Sequence, residues 1–110
     1  MRPILSLDEY LAKARKYAEQ ADILGMAIAL DTSSLISTRQ DKDISSIRTQ
    51  IEYIGYSNAT YVLLDETEHH LTQNNIDEAL KCFTDAKNYA AKTNQDIQSR
   101  VRTINELIYN

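Results

Sequence analysis

Apolar and small side chains recur at three- and four-residue steps along nearly the whole chain, and no stretch alternates with the two-residue period of a strand. Leu7, Leu11, Ala14, Ala18, Ala21, Gly25, Ile28, Thr32 and Leu35 form the first stripe. Ile44, Ile47, Ile51 and Ile54, continued by Tyr61, Leu64 and Leu71, form the second. Ile76, Ala79, Leu80, Phe83, Ala86 and Ala90 form the third, and Ile97, Val101, Ile104 and Leu107 or Ile108 the fourth. Each spacing predicts a helix with that face turned inward.

The punctuation between stripes is polar. Ser6 and Glu9 have the serine-x-x-glutamate form of a capping box, with Asp8 and Glu9 in the first turn. Thr38 to Asp43 is the most polar stretch and predicts a loop, with Asp43 capping the next helix. Asn74-Asn75 predicts a turn whose side-chain oxygens cap the helix from Ile76, and Asp77 and Glu78 favour its positive end. Thr93 and Asp96 predict another capping box.

The fold class expected is all-α, built of antiparallel helices in hairpins or a bundle. Breaks near Ala21, Ser57 and Thr93 would divide the chain into six short helices. Stripes running through those points would instead make three antiparallel helices of about 30 residues, each ~45 Å long at 1.5 Å per residue. The unbroken Leu7 to Leu35 stripe favours three long helices, and the Thr93 signal favours hairpins. Gly55, with Ser57 and Asn58 after it, is where the second element would break. A weak period of 36 aligns Leu11, Ile47 and Phe83, then Tyr17, Tyr53 and Tyr89, then Leu35, Leu71 and Leu107, as stacked hairpins would.

Ala79, Phe83 and Ala86, in an Asp-Glu-Ala-Leu context after a short polar turn, resemble the second helix of a tetratricopeptide repeat. At the positions where that family's preceding helix places leucine, a small residue and tyrosine, this chain has Glu66, Thr67 and His70. The resemblance implies stacked hairpins whose first helices line a groove for an extended peptide or a helix. It places Tyr61, Leu64, Asp65, Glu68 and Leu71 on the groove wall. That wall would be acidic and apolar together, which suits a protein or peptide partner carrying lysine or arginine beside apolar anchors.

Composition narrows the reading. At 110 residues the chain is expected to be one domain with a core of its own. Two glycines and one proline leave little for tight β-turns. The single cysteine, Cys82, has no disulfide partner, which favours a reducing compartment and a cytoplasmic location. A net charge of −4 without a run of five like charges disfavours nucleic-acid binding. The apolar run from Ile23 to Leu30 is far too short to span a membrane, and Met1-Arg2-Pro3-Ile4-Leu5 does not read as a secretion signal.

Candidate chemistry is sparse. Gly25 and Gly55 are too few for a phosphate loop, and no serine stands on a nucleophile elbow. No catalytic set, cofactor or metal site is therefore expected. Adjacent His69 and His70 diverge by about 100° on a helix and do not easily share an ion; each has a carboxylate four residues earlier, Asp65 and Glu66, for a local ion pair. The run Glu68 to Ile76 resembles the phosphoacceptor helix of one histidine-kinase group, and Arg100 to Ile104 is similar to that group's second helix. This implies an alternative function, histidine phosphotransfer through His69 or His70. A third reading is a helical subunit whose alanine and isoleucine seams close a homo-oligomer. The leading expectation is a non-enzymatic regulator or adaptor that binds a protein or peptide.

Overall fold

The computed structural model describes residues 5–109; residues 1–4, on which the absence of a secretion signal was argued, and residue 110 lie outside the described residues. Five helices follow one another: α1 (Leu7–Glu19), α2 (Ile23–Arg39), α3 (Ser45–Thr72), α4 (Ile76–Thr93) and α5 (Gln98–Tyr109), with no strand among the described residues. The all-α expectation holds, in the form of helical hairpins. Neither version of the helix count does: the chain breaks at Ala21 and after Thr93 but runs helically through Ser57.

The breaks have a common cause. Ala21, Asp41, Asn74 and Asn94 all adopt left-handed backbone, with φ between 54° and 59°. At each, two backbone N–H groups fold back onto the closing turn: Ala21 N donates to the Ala18 carbonyl and Asp22 N to Tyr17, and the same pair of bonds recurs after α2, α3 and α4. This closure satisfies carbonyls that a helix end leaves without partners, and it usually employs glycine. Here alanine, aspartate and asparagine do it.

The starts are capped as the polar residues predict at two of the four places. Ser6 and Glu9 form the reciprocal capping box. Asp43 accepts from Ser45 N at 2.9 Å, a bond that holds its carboxyl below the usual carboxylate range. Asn75 occupies the cap position of α4 but makes no side-chain cap, and Asn74 closes α3 through its left-handed backbone. Thr93 is no cap. It is buried in the last turn of α4, where its hydroxyl donates to the Tyr89 carbonyl, and Asp96 alone accepts from Gln98 N at 3.1 Å to start α5.

The chain divides after Asn58 into two compact units, each with its own core. In the first, Leu7, Leu11, Ala14 and Ala18 of α1 meet Met26, Ala29 and Leu30 of α2, and Ile44 and Ile51 at the start of α3. In the second, Leu64 of α3 meets Phe83, Ala86 and Ala90 of α4, and Ile97 and Ile104 of the α5 segment. Lys87 covers Phe83 with its ammonium 4.4 Å from the ring centroid.

The two units repeat one plan at an offset of 53 residues. Ala21 and Asn74 match, as do Asp41 and Asn94, and so do the capping bonds of Asp43 and Asp96. Buried Met26, Leu30, Ser33 and Ser37 of α2 correspond to buried Ala79, Phe83, Ala86 and Ala90 of α4. Leu11, Ile23, Asp43, Ile44 and Ile51 recur unchanged as Leu64, Ile76, Asp96, Ile97 and Ile104. The third helical segment of the first unit continues without a break into the first segment of the second, within α3. The period of 36 is not the structural one: it pairs buried Leu11 and Phe83 with exposed Ile47.

Ser57-Asn58 does not break α3 because its surroundings use both the small residue before it and the amide. Gly55 lets α3 approach Met26 and Ala18, and the Asn58 side-chain amide donates to the Ala18 carbonyl at 3.2 Å, in the last turn of α1.

Candidate functional site

The predicted binding face lies on the second half of α3, and the structure scatters it. Leu64 is 0% exposed and belongs to the second core, so it cannot line a groove. Leu71 is half-buried against the same core. Asp65 and Glu68 are on the surface, but both already hold a cation of this chain. Arg100 of α5 donates to Asp65 Oδ1 at 2.8 Å and to Glu68 Oε2 at 2.7 Å. The Asp65 hydrogen bond, with the Glu68 charge behind it, pushes the Arg100 guanidinium further up. One of the two negative charges of the expected acidic wall is offset from within, and of the five residues only Tyr61, 48% exposed, presents an uncommitted ring.

The histidines are not engaged as expected either. Asp65 turns to Arg100, and Glu66 accepts the Cys82 thiol at 3.8 Å, so neither local histidine ion pair forms among the described residues. The two rings stand 6.0 Å apart, tilted by 59°. No group of three histidine, cysteine, aspartate or glutamate side chains among the described residues is arranged to hold a metal ion. No helix among them is long and apolar enough to cross a membrane.

Cys82 is half-buried on α4 beside Glu66. Burial raises its thiol pKa first, and the charges and hydrogen bond of Glu66 add to that, with Glu78 and Asp85 beyond. A thiol shifted upward carries less thiolate at neutral pH, which is the opposite of a nucleophile's requirement. Iodoacetamide is therefore expected to label native Cys82 more slowly than the denatured chain near neutral pH, and Glu66→Gln to speed the native reaction. Equal rates for native and denatured protein would contradict this environment.

A different surface was not anticipated. The first stripe was expected to continue inward along α2 through Gly25, Ile28, Thr32 and Leu35. Instead α2 turns Met26, Ala29, Leu30, Ser33 and Ser37 inward, because residues 20–22 leave the helical path and the phase restarts. The inward serines satisfy themselves: Ser33 Oγ donates to the Ala29 carbonyl at 2.8 Å and Ser37 Oγ to Ser34 at 2.9 Å. Leu24, Ile28 and Leu35 are left 73%, 60% and 65% exposed. Beside them a shallow groove of about 130 Å³ runs between α1 and α2, bordered by Tyr10, Lys13 and Tyr17 on one side and Gly25, Ile28 and Thr32 on the other. A Cβ on Gly25 would lie 2.7 Å from a Tyr17 ring carbon, so glycine is what allows that ring to lie against α2.

The 53-residue correspondence gives this face a control within the same molecule. Leu24, Ile28 and Leu35 of α2 match Asp77, Lys81 and Asn88 of α4, all exposed. The same position in the same plan is apolar once and polar once. No family model matches the chain, and comparison with curated proteins and with solved structures finds no significant match.

Proposed function

We propose that the chain is a non-enzymatic protein-interaction module, a small adaptor or regulator that binds another protein or a peptide. The observation that carries this reading is the exposed Leu24, Ile28 and Leu35 face of α2, set where the second unit has Asp77, Lys81 and Asn88. Three large aliphatic side chains on one helix face stand mostly in water, and the duplicate carries polar residues at the same three positions. Exposed apolar patches of that kind accompany binding surfaces. The tetratricopeptide-like spacing of Ala79, Phe83 and Ala86 supports the same class, as those side chains glue hairpins together and leave recognition to outer faces.

The test compares the wild-type chain with Leu24→Ser/Ile28→Ser/Leu35→Ser as baits, each checked for helicity by circular dichroism. Proteins retained by wild type and lost from the variant support the reading, and Tyr61→Ala reports on the α3 face in parallel. Identical retention by all three baits would remove the α2 face from consideration. Turnover of a small substrate that depends on one polar side chain would overturn the non-enzymatic class.

A further inference from the structure

We propose that the α1–α2 turn is a strained hinge, and that α1 exchanges between two copies of this chain when the hinge straightens into one continuous helix. This concerns the first unit alone and does not rest on the reading of the chain as an interaction module.

The residue at the turn is the wrong type for its backbone. Ala21 holds φ at 59°, whereas the other three left-handed positions are Asp41, Asn74 and Asn94, whose short polar side chains tolerate that region. In a right-handed helix the order reverses: alanine is the best residue and asparagine among the poorer ones. Ala21 is therefore strained in the turn and favoured in a straight helix, and Gln20 beside it is also a good helix former. Local bonds hold the turn shut. Ala21 N donates to the Ala18 carbonyl at 3.0 Å, Asp22 N to the Tyr17 carbonyl at 2.9 Å, and the Asp22 carboxylate accepts from Gly25 N at 2.9 Å. Straightening replaces these with the ordinary ladder of bonds to the fourth preceding carbonyl, so no backbone group is left without a partner.

The sequence on both sides of the turn fits a straight helix. Leu7, Leu11, Ala14 and Ala18, all buried in the first core, continue through Ala21, Gly25, Ile28, Thr32 and Leu35 in steps of four and three. The second unit again supplies the comparison. Its matching seam begins with Leu64, Thr67 and Leu71 but continues through Asn74, Glu78, Lys81, Asp85 and Asn88, so a helix fused across that turn would carry polar and charged side chains along the seam. Turn residue and seam thus differ between the two units in the same sense: the first is suited to straightening and the second is not. Exchange requires no new core. Each α1 leaves its own Met26, Ala29 and Leu30 and takes the same place against those of the other copy, while the strain at Ala21 is relieved twice per dimer. Short hinges under strain favour this route to a dimer. The two straightened helices run antiparallel and cross at the hinge, where the small Ala21 and Gly25 ease their approach.

The experiment warms the concentrated full chain to its unfolding midpoint, cools it, and measures monomer and dimer by sedimentation. Wild type is expected to yield a dimer that persists on dilution in the cold and reverts on rewarming. Ala21→Asn, which copies the second unit, should lower the association constant by about 100-fold, roughly tenfold at each of the two hinges, as strain is relieved and helix propensity lost. The same change should raise the thermal midpoint of the monomer, so a lost dimer is not a lost fold. Asp22→Ala removes the cap that holds the turn and should raise the association constant by about 25-fold, roughly fivefold at each hinge. Nitroxides on Ala12→Cys and Leu35→Cys in a Cys82→Ser chain, mixed with excess unlabelled chain before exchange, should lie about 35 Å apart in the dimer, the rise of one continuous helix, and far closer in the monomer. No dimer from either wild type or Asp22→Ala would overturn the proposal. So would a dimer that Ala21→Asn leaves unchanged, or a label separation that dimerisation does not alter. A dimer lost with Ile28→Ser/Leu35→Ser would overturn it as well, by showing contact through the outer face of α2.

Discussion

Replacing Leu64 with alanine is expected to destabilise the folded chain by about 2–5 kcal/mol, the range for truncating a fully buried leucine. Leu64 has no exposed surface and sits among Phe83, Ala86, Ala90, Ile97 and Ile104. Three of those five neighbours come from two alanines and a phenylalanine on one rigid helix, so the surroundings have little freedom to collapse into the space left. The loss then includes both the transfer of the missing methyl groups and the cavity. Urea unfolding reads this as a lower midpoint with an unchanged slope. Tyr61→Ala, one turn away but half exposed, should cost far less. A Leu64→Ala midpoint within error of wild type would show that this side chain is not core, and would return it to the surface role that the tetratricopeptide resemblance implied.

The second large effect is expected at Gly55. A Cβ there would collide with Met26 Sδ, and would lie 3.2 Å from Met26 Cε and 3.4 Å from the Ala18 Cβ. Two effects oppose each other. Removing glycine from a helix interior gains about 1 kcal/mol of helix propensity, whereas forcing atoms into a packed core costs about 1–3 kcal/mol. Gly55→Ala adds one methyl against the flexible end of Met26, so the two nearly cancel. Gly55→Leu adds a whole side chain where Met26 is itself buried, and a net loss near the upper end of that range, about 2–3 kcal/mol, is expected. Adding Met26→Ala should make Leu at position 55 better tolerated, with a coupling of about 0.5–3 kcal/mol between the two sites. Independent effects of the two substitutions would mean that α2 and α3 do not meet at this glycine.

Gly55 also shows how a residue type misleads when its neighbours are out of view. Read locally, Gly55 followed by Ser57 and Asn58 is a helix breaker. In the folded unit the glycine is where α3 comes closest to Met26, and the Asn58 amide closes the end of α1. The same limitation governed the α2 face. Ile28 and Leu35 continue the Leu7 to Ala18 stripe by counting, yet three residues of non-helical turn reset the phase and put them in water. On α4 the inward face is right at Ala79, Phe83, Ala86 and Ala90 but wrong at Ile76 and Leu80, which are exposed although equally apolar.

What the amino-acid order determined unaided is whatever is settled within a turn or two of the chain. That covers helices in place of strands, the Ser6–Glu9 box, the Asp43 start, and the polar turns at Asp41, Asn74 and Asn94, all made by partners at most five residues apart. Only the tertiary structure decided which side of each helix is dry, that α3 runs unbroken, that Leu64 is core, and that Arg100 takes up Asp65 and Glu68. Those outcomes depend on groups 19 to 40 positions apart, such as Leu64 with Phe83, Asn58 with Ala18 and Arg100 with Glu68. A periodic stripe is equally hydrophobic whichever neighbour it meets. Burial is assigned by the neighbour, and on α2 Leu24, Ile28 and Leu35 stay mostly uncovered among the described residues.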